Sequence, residues 1–278
     1  MLLPRVSKLS KRRFRVARRR VLITGGASGI GRLMAFEAAR RGASEVIIWD
    51  LDGDAAETVA AEIRSRGRHA SAYPVDVTEV TAVNAAAEQV GRVDVLINNA
   101  GVVTGKPLLD ASEAEIERTF QVNTMSLYWV TRAFLPGMIA QRRGYVVNIA
   151  SAAGLVGVAN QTDYSASKHA AVGFTESLRA EMKKQRTRVR TLSVAPFYID
   201  TGMFEGVKTK VPALLPILEP AAVARQVLDA VERGRSRLVL PKFVYLVPFV
   251  RGLPTPVFDF VMNRFGINET MDDFVGRR

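Results

Sequence analysis

Cysteine is absent from all 278 residues, which rules out disulfides, thiolate zinc sites and thiol nucleophiles together. Histidine is almost as scarce. His69 and His169 are far apart and no ligand spacing accompanies them, so a metal centre has little to be built from. His69 reads as a strand-start residue. His169 follows Lys168 but is rotated off its helical face, and reads as packing or solvent-facing. No apolar run approaches the roughly 20 residues that cross a bilayer. The longest candidate, residues 243–250, is cut off by Arg251, Pro254 and Pro256. It fits a surface that lies on a membrane, a cover over a substrate entrance, or burial against the core or a second subunit. No internal repeat or low-complexity linker divides the chain. There is also no small-residue cleavage pattern behind a continuous apolar segment, which argues against a cleaved secretory signal.

Acidic residues are missing from the first twenty positions, where Arg5, Lys8, Lys11, Arg12, Arg13, Arg15, Arg18, Arg19 and Arg20 carry nine of the twelve net positive charges. The excess basicity therefore belongs to a leader, residues 1–20, and not to the rest of the chain. Nucleic acid is a poor match, because Phe14 is the leader's one aromatic and no recognisable nucleic-acid module follows. An anionic lipid surface fits better, at about 1 kcal/mol for each nearby Lys or Arg; a plain solubilising tail is the alternative. The expectation is a cytoplasmic protein, with peripheral contact to an anionic membrane through this leader.

The run Tyr164-Ser165-Ala166-Ser167-Lys168 places a phenol and an ammonium one helical turn apart, on one face. A neighbouring cation favours the phenolate and brings a tyrosine towards proton transfer near neutrality. Near the start, Val21-Leu22-Ile23 reads as a buried strand running into Thr24-Gly25-Gly26-Ala27-Ser28-Gly29-Ile30-Gly31 and then a helix over 32–41. Strand, glycine loop and helix in that order suit a cradle for a pyrophosphate, the bland alternative being a glycine-rich turn that binds nothing. Gly25 supplies the tight turn, Gly29 lets the backbone approach the phosphates, and Gly31 lets the helix pack closely, with the loop around Ser28 and Ile30 facing the ligand. A second strand, residues 45–49, ends in Asp50, about twenty residues past the loop, where a carboxylate accepts hydrogen bonds from an adenosine ribose. Its charge repels a 2'-phosphate, and Ser28 and Leu51 offer no cation, so the reading is NAD rather than NADP. Asp50 as a mere turn residue is the bland alternative.

From about Val21 to Leu240 the chain resembles the short-chain dehydrogenase/reductase family, whose motifs occur here in order. The resemblance implies that Asp76 and Val77 contact adenine and that Asn98-Asn99-Ala100-Gly101 is the cofactor-side loop after the fourth strand. It also implies that Asn123, Ser151, Tyr164 and Lys168 form a catalytic tetrad. Separately, Asn98-Asn99 could make a turn and Ser151 could cap a helix. The stretches 196–207 and 214–220 resemble the epidermal retinol dehydrogenase branch, close to lipid-droplet 17-beta-hydroxysteroid dehydrogenases. That branch handles hydrophobic alcohols and includes membrane-associated enzymes. Pro196 and Thr201 then become cofactor contacts, Thr201 at the carboxamide, although Phe197 stands where many members carry Gly.

The predicted architecture is α/β, a single Rossmann-type doubly wound parallel sheet with helices on both faces. Strands are expected near residues 21–24, 45–49, 69–74, 93–97, 145–149, 190–194 and 238–240. The leader spans 1–20, the catalytic domain 21–240 and an apolar extension of the same domain 241–278. The helices carrying Asn123 and Tyr164 are expected on one side, where family members pair subunits, which implies a homo-oligomer. The expected activity is NAD-dependent interconversion of a lipophilic alcohol (retinoid, steroid or long-chain) and its carbonyl. In that scheme Tyr164 moves the proton, Lys168 supports the tyrosinate and contacts the nicotinamide ribose, Ser151 orients the substrate oxygen and Asn123 holds a relay water. The rivals are a broad carbonyl reductase and a catalytically silent nucleotide-binding protein at a membrane surface. The apolar phrase 211–218 suits a greasy ligand or core packing equally.

Overall fold

Seven parallel strands organise the computed structural model, which describes residues 14–276. They are β1 (Arg20–Thr24), β2 (Glu45–Asp50), β3 (Ala70–Pro74), β4 (Val95–Asn98), β5 (Gly144–Ile149), β6 (Val189–Pro196) and β7 (Arg237–Leu240), in the order β3-β2-β1-β4-β5-β6-β7. Runs such as Val21-Leu22-Ile23 and Val46-Ile47-Ile48-Trp49 are buried on both faces, as a parallel sheet covered on both sides requires. One face carries α1 (Gly29–Arg40), α2 (Gly53–Ser65) and α7 (Pro220–Glu232), and the other carries α3 (Val80–Val90), α5 (Ser126–Ala140) and α6 (Thr162–Lys184). The strand order reverses between β1 and β4, and ligands of open α/β sheets bind at the carboxyl ends of strands at such a crevice.

Two features of the sequence reading need correction. Phe14 and Val16, assigned to the leader, belong to the core: Phe14 meets Tyr145 edge-on with ring centroids 5.4 Å apart, and Val16 is fully buried. Arg20 opens β1 and pairs with Glu45 at 2.7 Å, and Arg19 approaches Asp94 at 3.8 Å. The described part of that stretch is thus folded, with Arg19 and Arg20 charge-paired; the remainder of the leader, residues 1–13, lies outside the described residues. Secondly, Asn123 is not on a regular helix. Between α4 (Glu113–Phe120) and α5 a π-helical turn, Gln121–Met125, interposes itself. Such a turn re-phases the side chains and occurs often at functional sites.

A buried polar ladder fixes α6 against the sheet. Asn98 and Asn148 are register partners on β4 and β5, and Asn98 Nδ2 donates to Asn148 Oδ1 at 2.8 Å and to Thr131 Oγ1 on α5 at 3.2 Å. Asn148 Nδ2 then donates to Thr175 Oγ1 on α6 at 2.8 Å. Buried polar groups left unpaired cost about 1–3 kcal/mol each, so this satisfied ladder specifies where α6, and Tyr164 near its start, must lie.

Beyond β7 come a 3₁₀ turn (Lys242–Leu246), α8 (Val247–Val250) and α9 (Thr255–Arg264). They join Phe197, Tyr198, Val207 and Leu215 in a third apolar cluster, separate from the two sheet faces. Among the described residues no helix is long and apolar enough to cross a membrane.

Candidate active site

Ser28 precedes α1 with extended backbone, so the helix begins at Gly29 and its amino end faces the strand ends. Gly25 has φ +61° and Gly29 φ +54°, the left-handed region in which glycine is unstrained. A methyl group on Gly31 would sit 2.0 Å from the Gly25 carbonyl oxygen and 2.6 Å from Asn99 Nδ2, so the loop closes only around a hydrogen there. Gly31→Ala is therefore expected to destabilise the protein by about 1–3 kcal/mol, the usual cost of overpacking. Urea unfolding checks this, and an unchanged midpoint would contradict the packing argument.

The loop is held from below by Thr24, a residue with no role in the sequence-based expectation. Thr24 Oγ1 accepts the amides of Asn99 and Ala100 at 3.0 and 3.1 Å, while Asn99 Nδ2 donates to the carbonyls of Thr24 and Gly25, both at 3.0 Å. Asp50 at the end of β2 accepts from Ala27 N at 2.9 Å and from Asp52 N at 3.2 Å. Asp76 closes a local turn by accepting from the Thr78 amide and hydroxyl at 2.9 and 2.7 Å.

A cavity of about 360 Å³ runs along these strand ends. Ser28, Ile30, Val77, Ala100, Gly101, Pro196 and Thr201 line it with Gly25, Gly29, Asp50, Asp76 and Asn99. Gly31 stands behind the loop and does not line it. Thr201 faces Gly29 across the gap, its Cβ 3.7 Å from where a Gly29 methyl would be. At the other end are Ser151, Tyr164 and Lys168. Burial pushes the Tyr164 phenol above its ordinary range, against a hydrogen bond with the Ser151 side chain that pulls it down. Burial alone pushes the Lys168 ammonium down to about 8. Lys168 Nζ donates to Ile149 O at 3.1 Å and lies 5.6 Å from the centre of the Tyr164 ring. Desolvation thus outweighs the simple expectation that a lysine one turn away makes the phenol acidic.

Asn123 lies outside the cavity wall. Its Oδ1 accepts from Val102 N at 2.9 Å, and its Nδ2 donates to Val102 O at 2.9 Å and to Ser167 Oγ at 3.0 Å. Both amide hydrogens are spent bracing Gly101–Val102 against α6. One Oδ1 lone pair remains, close to Lys168: a methyl group on Gly101 would be 3.2 Å from Asn123 Oδ1 and 3.3 Å from Lys168 Nζ.

Several wall residues to which the sequence assigns no individual role stand at this end. Gln161 Nε2 donates to Tyr198 Oη at 3.3 Å, and Tyr198 Oη meets Thr270 Oγ1 at 2.8 Å, a chain of buried hydroxyls reaching from the start of α6 to the C-terminal segment. Phe197, where glycine is common, packs on Tyr198 with centroids 4.6 Å apart and donates its amide to Leu240 O at 2.7 Å. Phe204 meets both Tyr164 and Tyr198 edge-on. The C-terminal segment adds apolar lining to the same cavity through Val247, Val250, Phe258 and Val261. Such a wall favours an apolar ligand with one oxygen near Ser151 and Tyr164.

A family model described as short chain dehydrogenase matches residues 19–212. The chain is 41% identical over 277 residues to the epidermal retinol dehydrogenase 2 of Mus musculus, covering 97% of this chain and 89% of that protein. It is 35% identical over 290 residues to the retinol dehydrogenase 10 of Homo sapiens, covering 92% and 85%. Among solved structures, a short chain dehydrogenase/reductase from Burkholderia phymatum in complex with NAD aligns with TM-score 0.78 and 27% identity, over 86% of this chain and 95% of that one. A metagenomic short-chain oxidoreductase in complex with NADP aligns with TM-score 0.69 and 30% identity, over 81% and 96%.

Proposed function

The chain belongs to the short-chain dehydrogenase family, an oxidoreductase of alcohols that uses a nicotinamide dinucleotide, and from that premise we propose that it oxidises lipophilic alcohols with NAD. The glycine cradle fits the dinucleotide, because a side chain at Gly31 or Gly25 would fill space that the loop needs. When bound, the nicotinamide ring accepts a hydride from the alcohol carbon. Tyr164, as the tyrosinate, takes the hydroxyl proton and becomes the neutral phenol, Ser151 holds the substrate oxygen and the tyrosine oxygen in one hydrogen-bonded group, and Lys168 offsets the tyrosinate's negative charge before the transfer. Asn123 acts by fixing the backbone at Gly101–Val102. In the reverse direction Tyr164 returns the proton to a carbonyl.

The observation that carries the substrate class is the apolar roof, Val247, Val250, Phe258 and Val261, which lines the same cavity as Tyr164 and Ser151. The same segment carries exposed Phe249, Leu253, Val257 and Phe260, none of which lines the cavity, and this supports peripheral contact with lipid, where such substrates dissolve. Tyr128 on α5, exposed and packed at a tilt against Phe174 of α6 with ring centroids 4.6 Å apart, supports pairing of two copies through those helices.

Preference for NAD rests on Asp50, whose carboxylate is fixed by two backbone amides beside the uncharged Ser28 and Leu51. The test is nicotinamide reduction followed by absorbance, with NAD and NADP in parallel, against retinol, hydroxysteroids and long-chain alcohols. NAD is expected to exceed NADP by at least about tenfold in kcat/KM, and Asp50→Ser to narrow that ratio. An NADP preference in the unmutated protein would sink the assignment. Nucleotide binding without turnover of any alcohol or carbonyl would favour a silent binder.

A further inference from the structure

His169 is given no task by the sequence, yet it has two polar partners. Its Nδ1 lies 2.8 Å from the Ser165 carbonyl one turn earlier on α6, a contact that needs the proton on Nδ1. Nε2 is thereby left as an acceptor, and Arg251 Nη1 stands 3.1 Å from it. A guanidinium only donates, so the two contacts agree on a neutral ring with one tautomer. The same Nη1 also donates to the Leu155 carbonyl at 2.8 Å.

These three residues do not line the cavity themselves, but each adjoins one of its lining residues in the chain: Val250, Val156 and Lys168. Arg251 ends the turn whose Val247 and Val250 form the roof. Leu155 lies between Ser151 and the wall residue Val156, and His169 is the neighbour of Lys168. Elsewhere the C-terminal segment is fastened beyond α9, through Thr270 to Tyr198, Asp273 to Lys208 at 2.7 Å, and Val275 N to Glu205 O at 2.9 Å. Among the described residues, the side-chain hydrogen bonds of 242–253 are those of Arg251 and one from Val239 N to Tyr245 Oη at 3.3 Å. Apolar packing holds the rest, and such contacts do not fix direction.

We propose that Arg251 and His169 are positioning residues that hold the roof closed over the substrate end of the cavity, and so set selectivity for long apolar alcohols over short ones. This rests on reading that end as the alcohol site. A long substrate draws binding from contact with Val247 and Val250 only while the roof is seated, whereas a short one is held beside Ser151 and Tyr164 without it. Loosening the roof therefore raises KM for the long substrate and leaves the chemical step, and the nucleotide half of the cavity, unchanged.

The test uses Arg251→Met, His169→Leu, the double variant and His169→Gln, whose amide oxygen restores an acceptor near the Nε2 position. In steady-state assays with n-decanol, KM is expected to rise about three- to tenfold in each of the first two, as loss of one or two hydrogen bonds allows. The double variant should lose no more than the larger single effect. KM for n-butanol and for NAD, and kcat, should stay within about twofold, and His169→Gln should recover most of the loss. Hydrogen exchange of the free protein, which needs no turnover, should quicken over residues 242–253 in Arg251→Met and His169→Leu. Unchanged exchange, additive effects, or a fall in kcat in place of a rise in KM would overturn the proposal. Absence of all turnover in the unmutated protein would overturn the functional reading instead, and exchange would still decide the latch.

Discussion

Phenylalanine in place of Tyr164 is expected to lower turnover by about two to four orders of magnitude, the range that a positioned acid–base group contributes, while leaving NAD affinity within about twofold. The substitution removes one oxygen and little else. The ring stays 5% exposed between Phe204 and the wall, its edge contact at 5.8 Å needs no hydroxyl, and the nucleotide-side loops are held by Thr24, Asn99 and Asp50, which do not touch it. What is lost is the group that shares a hydrogen bond with Ser151 and exchanges the substrate proton. Because burial raises the phenol's pKa, oxidation, which needs the tyrosinate, should rise with pH into the alkaline range, and carbonyl reduction, which needs the phenol, should fall. Turnover measured in both directions across pH, with nucleotide binding followed by fluorescence, checks both statements. Near-normal turnover in the variant would remove Tyr164 from the chemistry.

The parts of the site that were legible in the sequence are those whose geometry is local. Strand, glycine loop and helix follow one another within residues 20–40, so Gly25, Gly29 and Gly31 could be given their backbone tasks from spacing, and a residue four before a lysine must share its helical face. The same locality made the alternating strands readable to within a few residues, although α1 begins at Gly29, three residues ahead of the expected start. What escaped depends on partners distant in the chain. Nothing near Asn123 announces a π turn, within which its carboxamide reaches Val102 and Thr124 reaches the Ser167 carbonyl at 3.2 Å. Thr24, Tyr198 and Thr270 look like ordinary residues until the fold brings their hydroxyls to Asn99 and to one another. Phe14 and Val16 were hidden by the arginines around them, since charge composition describes a segment and burial depends on single side chains. His169 escaped for the same reason as Thr24: its second partner, Arg251, lies on the roof, in another part of the chain.

Methionine in place of Lys168 is expected to abolish most turnover and, at neutral pH, to make the protein more stable. Lys168 is 4% exposed, and the Ile149 carbonyl is the acceptor that its ammonium reaches. Burial depresses its pKa from the ordinary 10.5 to about 8, so between those values the unfolded chain binds more protons than the folded one. Stability therefore rises with pH across that window, and below about pH 8 the folded protein carries the full cost of a buried cation, on the order of 3 kcal/mol. Methionine keeps the length of the stem and removes the charge. Against this stands the Ile149 carbonyl, which loses a donor at a cost of about 1–3 kcal/mol. The two terms leave the variant more stable by about 1 kcal/mol at pH 7, and by progressively less as pH rises, because the lysine's penalty fades while the methionine has none to lose. Urea unfolding of both proteins at pH 7 and pH 10 reads that difference directly. A gap that widens with pH would mean that Lys168 is not held against its solvation. A gap that closes would show that the cation supporting Tyr164 is kept in place at the expense of stability, by the polar ladder that fixes α6 against β5.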